Sequence, residues 1–404
     1  MDTPEWDAHP LLDRRAALAR LGIVAAGLHA PLTFGRRATA PVHRAGDADI
    51  ALLLRLANVP SVSYAVIDGD RITSSAIGIR RSGGAEQVTP DTIYAAASLT
   101  KVVFSYTLLS LVHEGLFSLD RPVREYLPLP NPDDARAGAI TARHLLSHSG
   151  GWRNWRNTPA QPLTADFEPG TRWSYSGEGF FFLQRIVEHL TAKSIGTLAR
   201  ERVFEPLGMQ RSSMIGLESM EPFQATGHDT RGEVGAVYGR PALLELRRAM
   251  TARGLPLDAA TVEDAERALT SAEPTLPALP NFLSPNAAAS MLTTATDFAR
   301  FLRHVVTARR SGGAPSAIVD HMMSPQIRCN EAIQWGLGVG LEDRGNRRFA
   351  WQWGDNPGFK NFYAADPQGA KAVVVFTNGD RGARVYERVI RMVAEEHQAA
   401  FLWA

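Results

Sequence analysis

Strand-forming sequence lies at the two ends of this chain and helix-forming sequence lies between, and that arrangement restricts the fold more than any other feature. Near the start, "SVSYAVIDGDRITSSAIGI" (Ser61 to Ile79) holds two β-rich runs flanking Asp68-Gly69, the pattern of a hairpin. Near the end, strand signals recur at Gly336 to Leu341, Phe349 to Trp353, Phe359 to Ala364 and Lys371 to Thr377. The last of these, "KAVVVFTN", is the clearest strand in the chain. Between the two ends, Leu99, Val102, Val103, Tyr106, Leu109 and Val112 recur at helical spacing, and Phe180 to Leu190 reads as an amphipathic or buried helix. Two more helices are expected around Ala242 to Ala252 and Val262 to Leu269, and a final one from about Ala383 to Phe401. Strands so distant in sequence must be gathered from both ends. The expected fold class is therefore α+β, an α-β-α arrangement in which an antiparallel sheet is flanked by helices and carries an inserted, mostly helical subdomain. The sheet part is expected at about 45–100 and 330–404 and the helical part at about 101–329, within one domain spanning 45–395. Sites in such folds lie in the cleft between the two parts.

Within this frame, "AAASLTK" (Ala95 to Lys101) poses a chemical question. Lysine occurs at four positions only, Lys101, Lys193, Lys360 and Lys371, in a chain with 43 cations. Where any cation suffices this chain uses arginine, so a lysine at position 101 points to a task arginine cannot perform. Losing a proton is such a task, because a buried lysine has its pKa lowered whereas arginine stays charged. Ser98 lies three residues earlier and shares a helix face with Lys101, within reach of its amine. It falls in the first turn, where unpaired N–H groups and the helix dipole favour developing negative charge. A serine beside an unprotonated lysine is one way of activating a hydroxyl nucleophile. In "EPGTRWSYSGEGF", Tyr175 sits in a turn-rich loop before a helix and is a candidate proton shuttle. In "WQWGDNPGFKNF", Gly354 follows a strand and precedes a tight turn, Asp355 to Gly358. A glycine there lets a substrate approach the strand backbone, and the Asp355 N–H is expected to join the Ser98 N–H as an oxyanion hole.

Composition narrows the alternatives. The net charge of +1 leaves no positive excess to hold nucleic acid or an anionic membrane. A single cysteine, Cys329, rules out an internal disulfide and a multi-cysteine metal site. His144 and His148 stand at i, i+4 without an acidic or histidine partner that completes a zinc motif. No cofactor and no metal are expected, and no stable membrane anchor. The N-terminus has its own pattern: Arg14-Arg15, the apolar run Leu21 to Leu28, and a small-x-small site at Ala38 to Ala40. Residues 1–40 read as a twin-arginine export signal, placing the mature chain in the periplasm or outside the cell, the alternative being a cytosolic amphipathic helix, for which Arg20 and His29 speak, and a cytoplasmic protein; the apolar run is too short to span a bilayer.

Taken together these segments resemble the serine β-lactamase and penicillin-recognising family, on the branch of class C β-lactamases, D-aminopeptidases, alkaline D-peptidases and related carboxylesterases. The resemblance is carried by "ASLTKVVFSYTLLSLVHEGLFSLDRPVREYLP", "ITARHLLSHSGGW", "FEPGTRWSYSGEGFFFLQRIVEHLT", "RVFEPLGM", "SMLTTATDFARFL", "WGLGVG" and "WGDNPGF", which run from about Ser61 to Ala394. It implies that Ser98 is the acylated nucleophile, Lys101 its general base or proton partner, and Tyr175 the group that helps move the proton and protonates the leaving group. Two positions depart from the pattern. The tyrosine motif usually ends in asparagine, whose amide meets a substrate peptide bond, and here Gly177 stands in its place. The third motif is usually Lys-Thr-Gly or His-x-Gly, and here it is Gln352, Trp353 and Gly354, with Asp355 beside it. A carboxylate-bearing substrate thereby loses a charge-assisted hydrogen bond of about 1.5–3 kcal/mol, unless Lys360 or Arg348 supplies the charge.

The expected activity is that of a serine hydrolase working through an acyl-enzyme on a small-molecule ester, amide or peptide. It is expected to be esterase-like and a poor β-lactamase. The competing readings are a D-amino-acid peptidase or DD-peptidase, and a non-catalytic ligand-binding module, against which the intact Ser98, Lys101 and Tyr175 argue. Trp152, Trp155, Trp173, Trp335, Trp351 and Trp353 lie in or beside the motifs. They either wall a cleft suited to acyl or aryl groups, with Trp152 and Trp353 touching substrate, or pack the sheet against helices. Residues 222–285 are a candidate lid.

Overall fold

The computed structural model describes residues 46–156, 161–234, 240–272, 284–394 and 398–403. The export-signal reading of residues 1–40 lies outside them, as does part of the candidate lid. The chain runs through α1 (Asp47–Ala57), β1 (Ser61–Asp68), β2 (Arg71–Gly78) and the short β3 (Tyr94–Ala95) into α2 (Thr100–His113). Then follow α3 (Ala142–Leu146), α4 (Gly177–Thr191), α5 (Ile195–Ala199), the short pair β4 (His228–Asp229) and β5 (Gly232–Glu233), α6 (Arg240–Ala252), α7 (Val262–Ala272), β6 (Leu292–Thr293), α8 (Ala295–Ser311) and α9 (Gly313–Met322). The last section holds β7 (Ile327–Arg328), β8 (Ile333–Trp335), β9 (Gly340–Arg344), β10 (Arg347–Asn356), β11 (Phe359–Asp366), β12 (Lys371–Thr377) and α10 (Ala383–Ala394).

Eight strands form one antiparallel sheet in the order β2-β1-β12-β11-β10-β9-β8-β7. The first long strand therefore pairs with the last, with Val62 opposite Thr377 and Asp68 opposite Lys371. The run that made β12 so legible is buried on both faces. Val374 and Phe376 enter one core with Phe298 of α8, while Val373 and Val375 enter a second core with Ile50 and Leu54 of α1 and Val385 and Val389 of α10. Each such side chain contributes ~1.5–3 kcal/mol on burial, which fixes the register. Helix α2 is buried on every side from Thr100 to Leu109, its polar Thr100, Lys101, Ser105 and Thr107 included.

Three expectations shift in detail. The hairpin turn is Gly69-Asp70, one residue later than expected, because Asp68 still pairs with Arg71 and Gly69 takes φ +60°. The stretch Gly336 to Leu341 is not one strand. Gly336 to Val339 form the turn between β8 and β9, where Gly338 has φ +84° and a Cβ would strike Ser105 of α2, and only Gly340 and Leu341 are strand, at the start of β9. The final helix is described over Ala383–Ala394, and Ala399–Leu402, expected to continue it, is a separate 3-10 turn.

Candidate active site

Ser98 is placed by a strained turn. Ala97 has φ +51°, which swings the chain from β3 into a single 3-10 turn, Ala97–Leu99, and then into α2. Ser98 thus precedes the α-helix proper, in the turn leading into it. Neighbouring groups hold this turn: the Thr100 hydroxyl donates to the Ala97 carbonyl at 2.6 Å and accepts from the Met291 N–H at 3.1 Å, and Ala96 N–H donates to the Met291 carbonyl at 2.8 Å. Gly354 of β10 packs against the same turn. A Cβ there would lie 2.5 Å from the Ala96 carbonyl oxygen and 3.0 Å from Leu99 Cδ1. The glycine therefore accommodates the turn that carries Ser98, where a close approach by substrate was expected.

Lys101 is 1% exposed. Its Nζ lies 3.3 Å from Ser98 Oγ and donates to the Ala288 carbonyl at 2.9 Å, with the rings of Tyr175 and Phe180 at 4.7 and 5.4 Å. Burial, with no carboxylate to offset it, lowers its pKa from 10.5 to about 7. Tyr175 leads into α4, whose N-cap Ser176 accepts from Gly179 N–H at 3.0 Å. Its ring is half-buried, while its hydroxyl is buried and makes no hydrogen bond within the protein. Desolvation raises its pKa well above the ordinary tyrosine range. The polar side chains of Ser98 and Gln352 oppose that rise, and the Asp355 charge adds to it.

Beneath Tyr175 lies a residue to which the sequence assigned no role at the site. His148 has its ring 4.3 Å from that of Tyr175 and 5.2 Å from that of Phe180. Ser176 N–H donates to its Nδ1 at 3.1 Å, so the ring proton sits on Nε2. Burial and the Lys101 charge hold its pKa well below the usual value, so it is neutral. The signal was the "LLSHSGGW" run itself, but nothing local tied it to Tyr175. The Ala288 carbonyl, which holds the Lys101 amine, carries no sequence signal at all.

Gln352 on β10 is 0% exposed, and neither its Oε1 nor its Nε2 has a partner. Asn356 closes a two-residue turn opposite Phe359, so the next pair, Asp355 and Lys360, is not hydrogen-bonded across the hairpin. The Asp355 N–H therefore faces away from β11, on an edge where β9 pairs no further than Trp351. Neither candidate cation is free to replace the missing one. Lys360 Nζ bonds Asp355 at 2.6 Å and Asp380 at 3.1 Å, and Arg348 is paired with Asp343 at 2.6 and 2.8 Å.

At position 177 any side chain would overlap the Trp155 indole. The loop carrying Trp155 is fastened to the start of α4: Ser176 Oγ donates to the Arg153 carbonyl at 2.9 Å, Gly177 N–H to Asn154 Oδ1 at 2.9 Å, and Arg156 Nε to the buried Glu178 at 2.9 Å. Trp152 stands apart from the cluster. Its indole is 1% exposed and packs on Phe182 at 5.3 Å. Trp335 and Trp351 are fully buried, whereas Trp173 and Trp353 are half-buried with their rings 6.2 and 5.1 Å from that of Tyr175. The structure thus brings Ser98, Lys101, Tyr175 and Gln352 together, with the Ser98, Lys101 and Gln352 side chains buried. No group of three metal-binding side chains occurs among the described residues.

Comparison with known proteins is consistent with this geometry. A family model described as Beta-lactamase matches residues 50–397. Penicillin-binding protein 4 of Amycolatopsis lactamdurans is 32% identical over 194 residues, covering 44% of this chain and 50% of that protein. Esterase EstB of Burkholderia gladioli is 26% identical over 206 residues, covering 43% and 52%. These matches span about half the length of either relative. Among solved structures, a class C beta-lactamase superposes with a TM-score of 0.67 at 15% identity, covering 87% of this chain and 95% of that one.

Proposed function

Because this chain belongs to the β-lactamase family, we propose that it is a serine hydrolase that cleaves uncharged esters through an acyl-enzyme on Ser98. The observation that carries the reading is a fully buried lysine amine, without a carboxylate partner, 3.3 Å from a serine hydroxyl. With a pKa of about 7, Lys101 has an available lone pair in neutral solution.

In this reading Lys101 Nζ takes the Ser98 proton as Oγ bonds to the substrate carbonyl carbon. The carbonyl π pair moves to oxygen, and the oxyanion is met by the N–H groups of Ser98 and Asp355. Collapse reforms the carbonyl and breaks the ester bond. The proton passes from the Lys101 ammonium, by way of the Tyr175 hydroxyl, to the leaving alkoxide. Water then attacks the acyl-serine with the same base, releasing a carboxylic acid and free Ser98. His148 touches no reacting atom. It positions Tyr175 from beneath and, being neutral, adds no charge next to Lys101.

The preference for uncharged esters follows from what surrounds the pocket. Gln352 is neutral where a cation is usual, Lys360 is bound to two carboxylates, and Asp355 lies on the rim. A substrate carboxylate forgoes about 1.5–3 kcal/mol of charge-assisted bonding, some 10–100-fold in affinity. The test is intact-mass spectrometry after brief exposure to p-nitrophenyl butyrate, beside Ser98→Ala. A butyryl adduct on the wild type alone is expected. If neither protein reacts with this ester or with a fluorophosphonate, catalysis is refuted. Rapid hydrolysis of a chromogenic cephalosporin, with kcat/KM above ~10⁵ M⁻¹s⁻¹, would refute the substrate preference. Residues 1–40 are proposed to direct export, which fails if Arg14→Lys with Arg15→Lys leaves the distribution of the protein unchanged. No helix among the described residues is long and apolar enough to cross a membrane.

A further inference from the structure

The half-buried tryptophans beside Tyr175 are not an open wall, because the chain's own Trp403 stands between them. Its ring lies 4.8 Å from Trp173 and 5.9 Å from Trp353, at 60° and 84°. Trp351 and Trp335 complete the enclosure at 5.9 and 6.4 Å. Four indoles thus form a box about one bicyclic ring in size. The two fully buried ones, Trp335 and Trp351, make its floor, and Trp173 and Trp353 make the walls. Both walls continue onto the Tyr175 ring.

Trp403 is not what anchors its own segment. The 3-10 turn Ala399–Leu402 is held by Ala399 N–H donating to the Glu342 carboxylate at 2.7 Å, by the fully buried Ala400, and by Phe401, whose ring lies 4.8 Å from Phe362 and 6.3 Å from Tyr386. Trp403 closes the turn through its backbone N–H, which donates to the Ala400 carbonyl at 3.0 Å, while its side chain lies outside these contacts and the residue is half-buried. It can leave the box while the turn stays seated.

We propose that this box is a binding subsite for a planar aromatic group on the leaving-group side of the ester, and that Trp403 fills it in the resting protein. The occupant shows what the box takes: a flat π system held edge-to-face against Trp351 and Trp353 and tilted against Trp173 and Trp335. Its place beside Tyr175, the residue assigned to protonate the departing oxygen, puts it on the leaving-group side. An aryl leaving group displaces Trp403, so the resting enzyme binds aryl esters less tightly than the box itself would allow.

The inference rests on the acyl-serine reading above, and its test separates the two. Full-length wild type and Trp403→Ala are compared on 2-naphthyl acetate and vinyl acetate, which share an acyl group and differ in the leaving group. Emptying the box is expected to lower KM for the naphthyl ester about tenfold and leave KM for vinyl acetate unchanged. Added indole should compete with the naphthyl ester in the variant only. Equal changes for both esters, or an unchanged or higher KM for the naphthyl ester, would overturn the proposal and leave Trp403 as core packing. If Trp403→Ala does not fold, Trp403→Phe decides, with a fall in the naphthyl KM of roughly threefold expected and no fall overturning. If no variant turns over either ester, the hydrolase reading fails by itself. Calorimetric titration with indole then decides the box: one site in Trp403→Ala and none in wild type supports it, and no binding to the variant refutes it.

Discussion

Replacing Lys101 with methionine is expected to abolish turnover and yet stabilise the protein in acid, by an amount that depends on pH. In the unfolded chain Lys101 titrates at 10.5, and in the folded protein at about 7, lowered by burial. Between those values the unfolded state holds more protons, so wild-type stability rises with pH; below about 7 both states are protonated and the full penalty is present. The gap between the two pKa values corresponds to about 5 kcal/mol. Nearly all of it is in force at pH 6, and less than about 1 kcal/mol remains at pH 10. Methionine has a similar length and removes the charge, but it also leaves the buried Ala288 carbonyl without its 2.9 Å partner. That loss costs ~1–3 kcal/mol at any pH. The variant should therefore exceed wild type by roughly 2–4 kcal/mol at pH 6 and be equal or weaker at pH 10, a difference between the two conditions of about 4 kcal/mol. Urea unfolding at pH 6, 8 and 10 measures it. A constant offset between the two proteins across this range would show that Lys101 does not titrate near 7 in the folded state, and the base mechanism would fall with it.

The same residue sets the pH dependence of catalysis: kcat/KM should rise about tenfold per unit below pH 7 and level off above it as Lys101 deprotonates. Lys101→Arg should lose roughly 10²–10⁴ in rate, and a flat profile from pH 5 to 9 would contradict this. Gln352→Lys restores a cation in the pocket and should improve kcat/KM for a chromogenic cephalosporin by about 10–100-fold, whereas an unchanged ratio of cephalosporin to neutral ester would show that the missing charge does not set specificity. Gly177→Ala forces its new methyl group into the Trp155 indole, which the Arg156–Glu178 pair holds in place. It should cost about 1–3 kcal/mol in urea unfolding, and a neutral effect would mean that the loop from Trp152 to Arg156 yields freely.

Some of this was legible in the sequence, for reasons that differ from residue to residue. The β12 strand was evident because its run of valines is buried on both faces, and α2 because its apolar spacing is unbroken by glycine or proline. Ser98 and Lys101 were legible because a helical spacing of three is enough to bring them together. The strand expected at Gly336 to Leu341 failed because Gly338 answers to Ser105 on α2, a contact more than two hundred residues away. His148 under Tyr175, the Ala288 carbonyl at Lys101 and the Trp155 indole over Gly177 were hidden for the same reason. Each is a pairing across the fold, and none leaves a local period. The tryptophans divided by burial rather than by motif. Trp152, Trp335 and Trp351 are core, while Trp173 and Trp353 stay half-exposed beside Tyr175.

The departures from the usual motifs act in one direction. Above pH 7 Lys101 is largely neutral, His148 is neutral, the Tyr175 hydroxyl keeps its proton, and Gln352 supplies an amide where a cation is customary. The pocket at rest then contains no formal charge, although its rim carries Asp355. In the proposed mechanism charge is created only during attack, as an ammonium on Lys101 and an oxyanion on the substrate. Both form among buried side chains, where fixed dipoles are screened less than in bulk water. The unpartnered amide of Gln352 is a buried polar group that costs stability in the resting protein. The Tyr175 hydroxyl beside it is likewise unpartnered, so both groups are left to hydrogen-bond a substrate or each other. A site of this kind has little with which to hold an anionic substrate in the ground state, and it keeps its oriented N–H groups for the transition state. That asymmetry, more than the shape of the cleft, separates an esterase from an enzyme that anchors its substrate by a carboxylate.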